Sequence, residues 1–122
     1  LLGGDEAALP AISVLLEALP GAATVVVLVE VSQPDARLEL PAHPRSSVTW
    51  IDRPPTVAHG DALGQAIREA TLAPDTRIWV AGEAAAVQRI RRHLFDDRNL
   101  PRSQCTVRGY WKHGRSGDAD DT

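Results

Sequence analysis

Two hydrophobic periodicities alternate along this chain, and the points where one gives way to the other divide it into elements. Leu1 and Leu2 read as the end of a strand begun earlier. From about Glu6, residues Leu9, Ile12, Leu15, Leu16 and Leu19 recur at helical spacing until Pro20-Gly21 stops them. Asp5 is placed to cap that helix and Glu6 to sit in its first turn, while Pro10 is tolerated near the start. Ala23–Val31 is a nearly unbroken apolar run, the mark of a strand covered on both faces in a parallel sheet. Pro34, Pro41 and Pro44 leave room for one short turn at most between 32 and 46.

The second half repeats the scheme. "SSVTWID" (46–52) reads as a strand broken by Pro54-Pro55, and Leu63, Ile67 and Ala70 mark a helix over 61–71. "RIWVAG" (77–82) is a further strand. The next helix, 83–95, sets Ala84, Val87, Ile90, Leu94 and Phe95 against Gln88, Arg89, Arg92 and His93. Pro101 closes that segment, and "QCTVRGYW" (104–111) is the last strand. Strands alternating with helices predict an α/β fold: a three-layer sandwich around a parallel sheet.

Composition narrows the class. The 122 residues suit one domain, placed at 1–115, with a flexible acidic tail at 116–122. A net charge of −3, matched by Asp118, Asp120 and Asp121 in that tail, argues against a nucleic-acid binder. No apolar run approaches the ~20 residues that span a membrane, and no signal peptide is recognisable. The lone Cys105 fits a reducing, cytoplasmic setting and reads as core rather than nucleophile. His43, His59, His93 and His113 follow no metal-ligand spacing, so no metal site is expected.

Parallel sheets bind ligands beyond the carboxyl ends of their strands. Two of those ends here are glycine-to-acid junctions, "GGDE" and "AGEA". Neither is the G-x-G-x-x-G of a dinucleotide turn. Gly3 and Gly4 would let a nucleotide's pyrophosphate or nicotinamide reach backbone N–H groups, or they merely make a tight turn. Glu30, at the end of its strand, could accept from ribose hydroxyls or stand as a solvated acid. Arg53 and Arg37 could instead meet a 2′-phosphate. Gly82 leaves space for a flat ring, with Glu83 in the first turn of its helix. In "RGYWKHGR" (108–115), Tyr110 and Trp111 stand beside Lys112, His113 and Arg115, a combination able to stack on flat ligands and hold anions.

Taken in order, "GGDEAALPAI", "VEV", "VTWIDR", "WVAGEAAAVQRIRRHL" and "GYWKHG" resemble the C-terminal domain of siderophore-interacting proteins, from Leu1 to about Arg115. These are flavin-dependent ferric-siderophore reductases of the ferredoxin-NADP reductase superfamily. The resemblance implies a five-stranded parallel sheet of order 3-2-1-4-5. It implies NAD(P)H binding here and FAD in an N-terminal barrel domain that this sequence does not contain, so the chain reads as an excised domain or half of a split protein. Cofactor-binding positions carried over are Gly3, Gly4, Asp5, Glu6, Ala7, Glu30, Arg53, Ala81, Gly82, Glu83, Ala84, Tyr110 and Trp111. Lys112 and Arg115 are carried over as contacts to a ferric siderophore. No side chain is expected to act as acid or base, because the flavin carries the chemistry. Ala7 and Ala85 depart from the Thr and Ser that the family often has, removing two hydroxyls. The alternative is therefore a non-catalytic nucleotide-sensing or binding domain of the same fold. A response-regulator-like domain is disfavoured, since the acids form no clustered carboxylate site.

Overall fold

The structure is a computed structural model and describes residues 1–114. Arg115 and the expected tail at 116–122 lie outside the described residues. Strands β1 (Leu2–Asp5), β2 (Val25–Val31), β3 (Ser46–Asp52), β4 (Ile78–Glu83) and β5 (Cys105–Trp111) form one all-parallel sheet in the order β3-β2-β1-β4-β5. This is the expected order. Helix α1 (Leu9–Ala18) covers one face, and α2 (Asp61–Glu69) with α3 (Ala84–Arg92) covers the other.

The pleat of β2 divides the core. Val25, Val27, Val29 and Val31 pack with Leu9, Ile12 and Leu16 of α1. Leu28 faces the other way, with Leu63 and Ile67 of α2 and Val87 and Ile90 of α3. Ile12 and Ile67, both fully buried, anchor the two layers, each burial being worth about 1.5–3 kcal/mol. From Val25 onward the run at 23–31 thus reflects cover on both sides, Val26 excepted, while Thr24 ahead of the strand is exposed.

Several boundaries differ from the sequence expectation for local reasons. Strand β1 does not end at Leu2 but runs through both glycines to Asp5, where it pairs with Glu30 on β2. The helix expected from Glu6 starts as a 3-10 turn, Glu6–Ala8, and becomes α-helical only at Leu9, leaving Pro10 in its first turn where no N–H is needed. The last helix keeps α geometry only to Arg92 and widens into a π turn over His93–Asp97. Its buried residues are Ala86, Val87 and Ile90, with Ala86 in the place expected of Ala84.

Candidate functional site at the carboxyl edge of the sheet

The two glycine-to-acid junctions lie side by side at the carboxyl ends of β1 and β4, and their acids serve the protein's own backbone. Asp5 is 8% exposed. Its Oδ1 accepts from the Ala7 N–H at 3.0 Å, capping the 3-10 turn as expected. Its Oδ2 accepts from the Glu83 N–H at 3.1 Å and from Trp111 Nε1 at 2.9 Å. One carboxylate therefore ties the ends of β1, β4 and β5. Burial pushes the Asp5 carboxyl above its usual range, against the three N–H donors that favour the anion.

Glu83 repeats the device. Oε1 caps α3 through the Ala86 N–H at 2.9 Å, and Oε2 accepts from the His113 N–H at 3.2 Å. Burial alone would raise this group. The N–H groups of Ala85, Ala86 and His113 and the Arg89 charge outweigh it, holding Glu83 below the usual glutamate range.

This arrangement assigns the glycines to packing. A Cβ on Gly4 would lie 2.5 Å from the Ala8 Cβ and 2.9 Å from the Ala81 carbonyl oxygen. One on Gly82 would lie 2.8 Å from Asp5 Oδ2, so the space expected above Gly82 for a flat ring holds the Asp5 carboxylate. Gly3 and Gly4 are buried in the sheet, and Ala81, paired with Gly4 on β4, is fully buried as well.

Glu30 also departs from expectation. It is 2% exposed, neither solvated nor open to a ribose. Its two oxygens accept from the Gly60 N–H at 2.7 Å and the Leu63 N–H at 2.9 Å. The cause lies in α2. Gly60 is its N-cap at φ 85°, and a Cβ there would collide with Ala86, so no side chain at that position can cap the helix. Glu30 supplies the carboxylate from β2. Glu6 bonds inward as well, accepting from the Ser32 N–H at 3.1 Å.

The open space lies beside these junctions. A cleft of about 630 Å³ is lined by Arg53, the segment 55–59, Glu83, Ala85, Arg89 and His113. Arg53 is held by the Ser32 hydroxyl (3.2 and 3.3 Å) and the Val57 carbonyl. Arg37, by contrast, is committed to Asp52 at 2.9 Å. His59 and His113 stand 4.7 Å apart between ring centroids, and His59 meets the edge of Trp111 at 5.0 Å. An adjoining cleft of about 450 Å³ is lined by Ala84, Gln88, Arg91, Gly109, Lys112 and His113. Tyr110 takes no part in either. It is turned onto Trp79, 6.3 Å away, on the side of the α1 core. Ala7 is exposed at the turn. The structure thus brings together Arg53 and Glu83 at one cleft and Ala84 and Lys112 at its neighbour, while Trp111 lines neither and stands behind His59. His59 and Arg89 were missed as site residues, because neither belongs to a strand end and only the loop before α2 carries His59 to Trp111.

Comparison with known proteins places this architecture. The family model for siderophore-interacting proteins matches residues 1–114, and the chain belongs to that family. It is 31% identical to ferric vibriobactin reductase ViuB of Vibrio cholerae over 98% of its own length and 45% of that protein's. It is 30% identical to the mycobactin import ATP-binding/permease protein IrtA of Mycobacterium tuberculosis over 95% of this chain and 13% of that one. The crystal structure of a siderophore utilization protein from T. fusca superposes with a TM-score of 0.79 at 35% identity, covering 94% of this chain and 45% of the other. The chain spans a little under half of the curated relatives it first matches.

Proposed function

We propose that this chain is the NAD(P)H-binding domain of a flavin-dependent ferric-siderophore reductase working in the cytoplasm. The observation that carries the reading is the 630 Å³ cleft at the carboxyl edge of a β3-β2-β1-β4-β5 sheet, walled by Arg53 and Arg89 with His59 and His113. Its volume falls within the ~300–1,000 Å³ of small-ligand sites, and its cations suit an anionic nucleotide. The residues present fit NAD(P)H. Arg53, Arg89 and the two histidines would hold its phosphates, while Ala85 leaves the mouth of the cleft unobstructed. When bound, the reduced nicotinamide supplies hydride to FAD, which a separate barrel domain would hold. Bound FAD would supply the electrons for siderophore-bound Fe(III), in keeping with the name of the ferric vibriobactin reductase relative.

The chain's own residues orient and bind. Asp5 and Trp111 tie the strand ends behind the cleft, and the exposed Lys112, beside Arg91 and His113, offers a mobile charge to an anionic ferric siderophore.

A second reading, a nucleotide-sensing domain without catalysis, is favoured by the exposed Ala7 and Ala85, which offer a cofactor no hydroxyl. Calorimetric titration of the chain with NADH and NADPH tests binding, and reconstitution with a flavin-loaded barrel domain tests hydride delivery. Binding with flavin reduction supports the reductase, binding without it the sensor, and no binding defeats both. The chain alone should take up no FAD, and a yellow purified domain would count against the division of labour proposed.

A further inference from the structure

The first helix turns after β1 and β4 are the usual cradle for a dinucleotide's pyrophosphate, since their N–H groups point outward. Here those donors are engaged. Asp5 takes the Ala7 and Glu83 N–H groups and Glu83 takes that of Ala86. The carboxylate that would read an unmodified ribose is engaged too, because both oxygens of Glu30 face the N-terminus of α2.

The unused donors are elsewhere, on side chains. Arg89 sits in the cleft with one nitrogen, Nη2, anchored to the His59 carbonyl (3.2 Å) and to Asp61 (3.1 Å). Of a guanidinium's five N–H bonds that leaves those on Nη1 and Nε. Arg53 lends the same cleft its charge, its nitrogens already donating to the Ser32 hydroxyl and the Pro54 and Val57 carbonyls, and among the described residues the rings of His59 and His113 make no hydrogen bond of their own. The acid in the lining, Glu83, has both oxygens engaged by backbone N–H groups. Guanidinium forks with imidazoles favour a terminal, dianionic phosphate over the singly charged groups of a pyrophosphate bridge.

We infer that this cleft is a phosphate-monoester site centred on Arg89, so that the chain selects a 2′-phosphorylated nucleotide over its unphosphorylated counterpart. The inference rests on the nucleotide-binding reading above and sharpens it from NAD(P)H to NADPH. Arg89 is then a specificity-determining residue held in place by Asp61.

Calorimetry on the full chain with two probes tests this: adenosine 2′,5′-bisphosphate and adenosine 5′-monophosphate, which differ only by the 2′-phosphate. The bisphosphate should bind about tenfold or more tightly, and its advantage should shrink as salt rises. Arg89→Gln should bring the two affinities within about twofold by weakening the bisphosphate alone, and Arg89→Lys should keep part of the difference. Thermal melts of both variants separate this from unfolding. Equal affinity of the two probes for the native chain would overturn the inference while leaving nucleotide binding intact. An undiminished preference in a folded Arg89→Gln chain would overturn the assignment to Arg89. Failure of both probes to bind at millimolar concentration would defeat the nucleotide reading itself.

Discussion

Replacing Glu30 by glutamine distinguishes a structural carboxylate from a ligand-binding one. The side chain keeps its size, and one oxygen can still accept from Gly60 or Leu63. The other becomes an NH₂ group facing a backbone N–H under 3 Å away, in a position only 2% exposed. A buried donor left without an acceptor costs about 1–3 kcal/mol, and the donor-to-donor approach places this site in the upper half of that range. At about 2 kcal/mol and roughly 4 °C per kcal/mol for a chain of this length, the midpoint of thermal unfolding should fall by about 8 °C. Circular dichroism melts measure this directly, and urea titration should show a lower midpoint at unchanged slope. Nucleotide affinity, measured well below the melting midpoint, should remain within about twofold of the native chain's. An unchanged melt together with a large loss of nucleotide affinity would refute the argument and return Glu30 to the ribose.

Three further substitutions follow from the same geometry. Gly82→Ala should destabilise the chain by about 2 kcal/mol or more, seen as a lower urea midpoint, because its Cβ would press on Asp5 Oδ2 at 2.8 Å in a site tied down by three hydrogen bonds. Glu83, held below the usual range, contributes stability that is present above its ordinary value of 4.5 and lost as pH falls through its lower folded value. Asp5, raised, has the opposite sign, contributing below its ordinary 3.8 and losing that contribution as pH rises. Glu83→Gln should therefore lower the melting midpoint at neutral pH and flatten its fall on acidification. A steeper acid fall in the variant would contradict the sign. In the full-length reductase proposed above, Lys112→Glu should raise the apparent KM for an anionic ferric siderophore several-fold at low ionic strength, consistent with about 1 kcal/mol for an exposed charge. Turnover of a neutral flavin-reductase acceptor should stay unchanged, and equal damage to both would tie the lysine to the fold or flavin.

The fold was legible because burial and strand order obey rules that act locally or topologically. Val25, Val27, Val29 and Val31 announce a covered strand by themselves, and parallel strands joined by right-handed crossovers leave few arrangements. The site was less legible because its chemistry depends on side-chain partners far apart in sequence. Trp111 reaches Asp5 across 106 positions, and Glu30 reaches Gly60 across 30. Reading Glu30 as a strand-end acid was sound as position and wrong as environment, since nothing near it in sequence shows that α2 arrives uncapped. Tyr110 and Trp111 are neighbours whose rings part to opposite surroundings, which the alternation of a strand implies but a motif quoted as a block conceals. The one local clue to His59 was the Gly60 beside it, a residue whose positive φ turns the loop into α2.

The two glycine-to-acid junctions gain their meaning from being adjacent in space. A small residue at the end of β1 lets the 3-10 turn close over the sheet, and a small residue at the end of β4 lets the first acid reach across. Each acid then caps the helical turn that follows its own strand and accepts a further N–H from a neighbouring strand or the segment after β5. A phosphate placed at either turn would meet a carboxylate already in its position, and like charges at such range in a partly buried site repel by several kcal/mol. Affinity for an anion must therefore come from groups outside the sheet. The loop of residues 53–60 and the exposed flank of α3 supply them as Arg53, His59 and Arg89. Selectivity for anionic ligands in this chain should accordingly follow substitutions in that loop and helix, and be insensitive to the glycines as long as the fold survives.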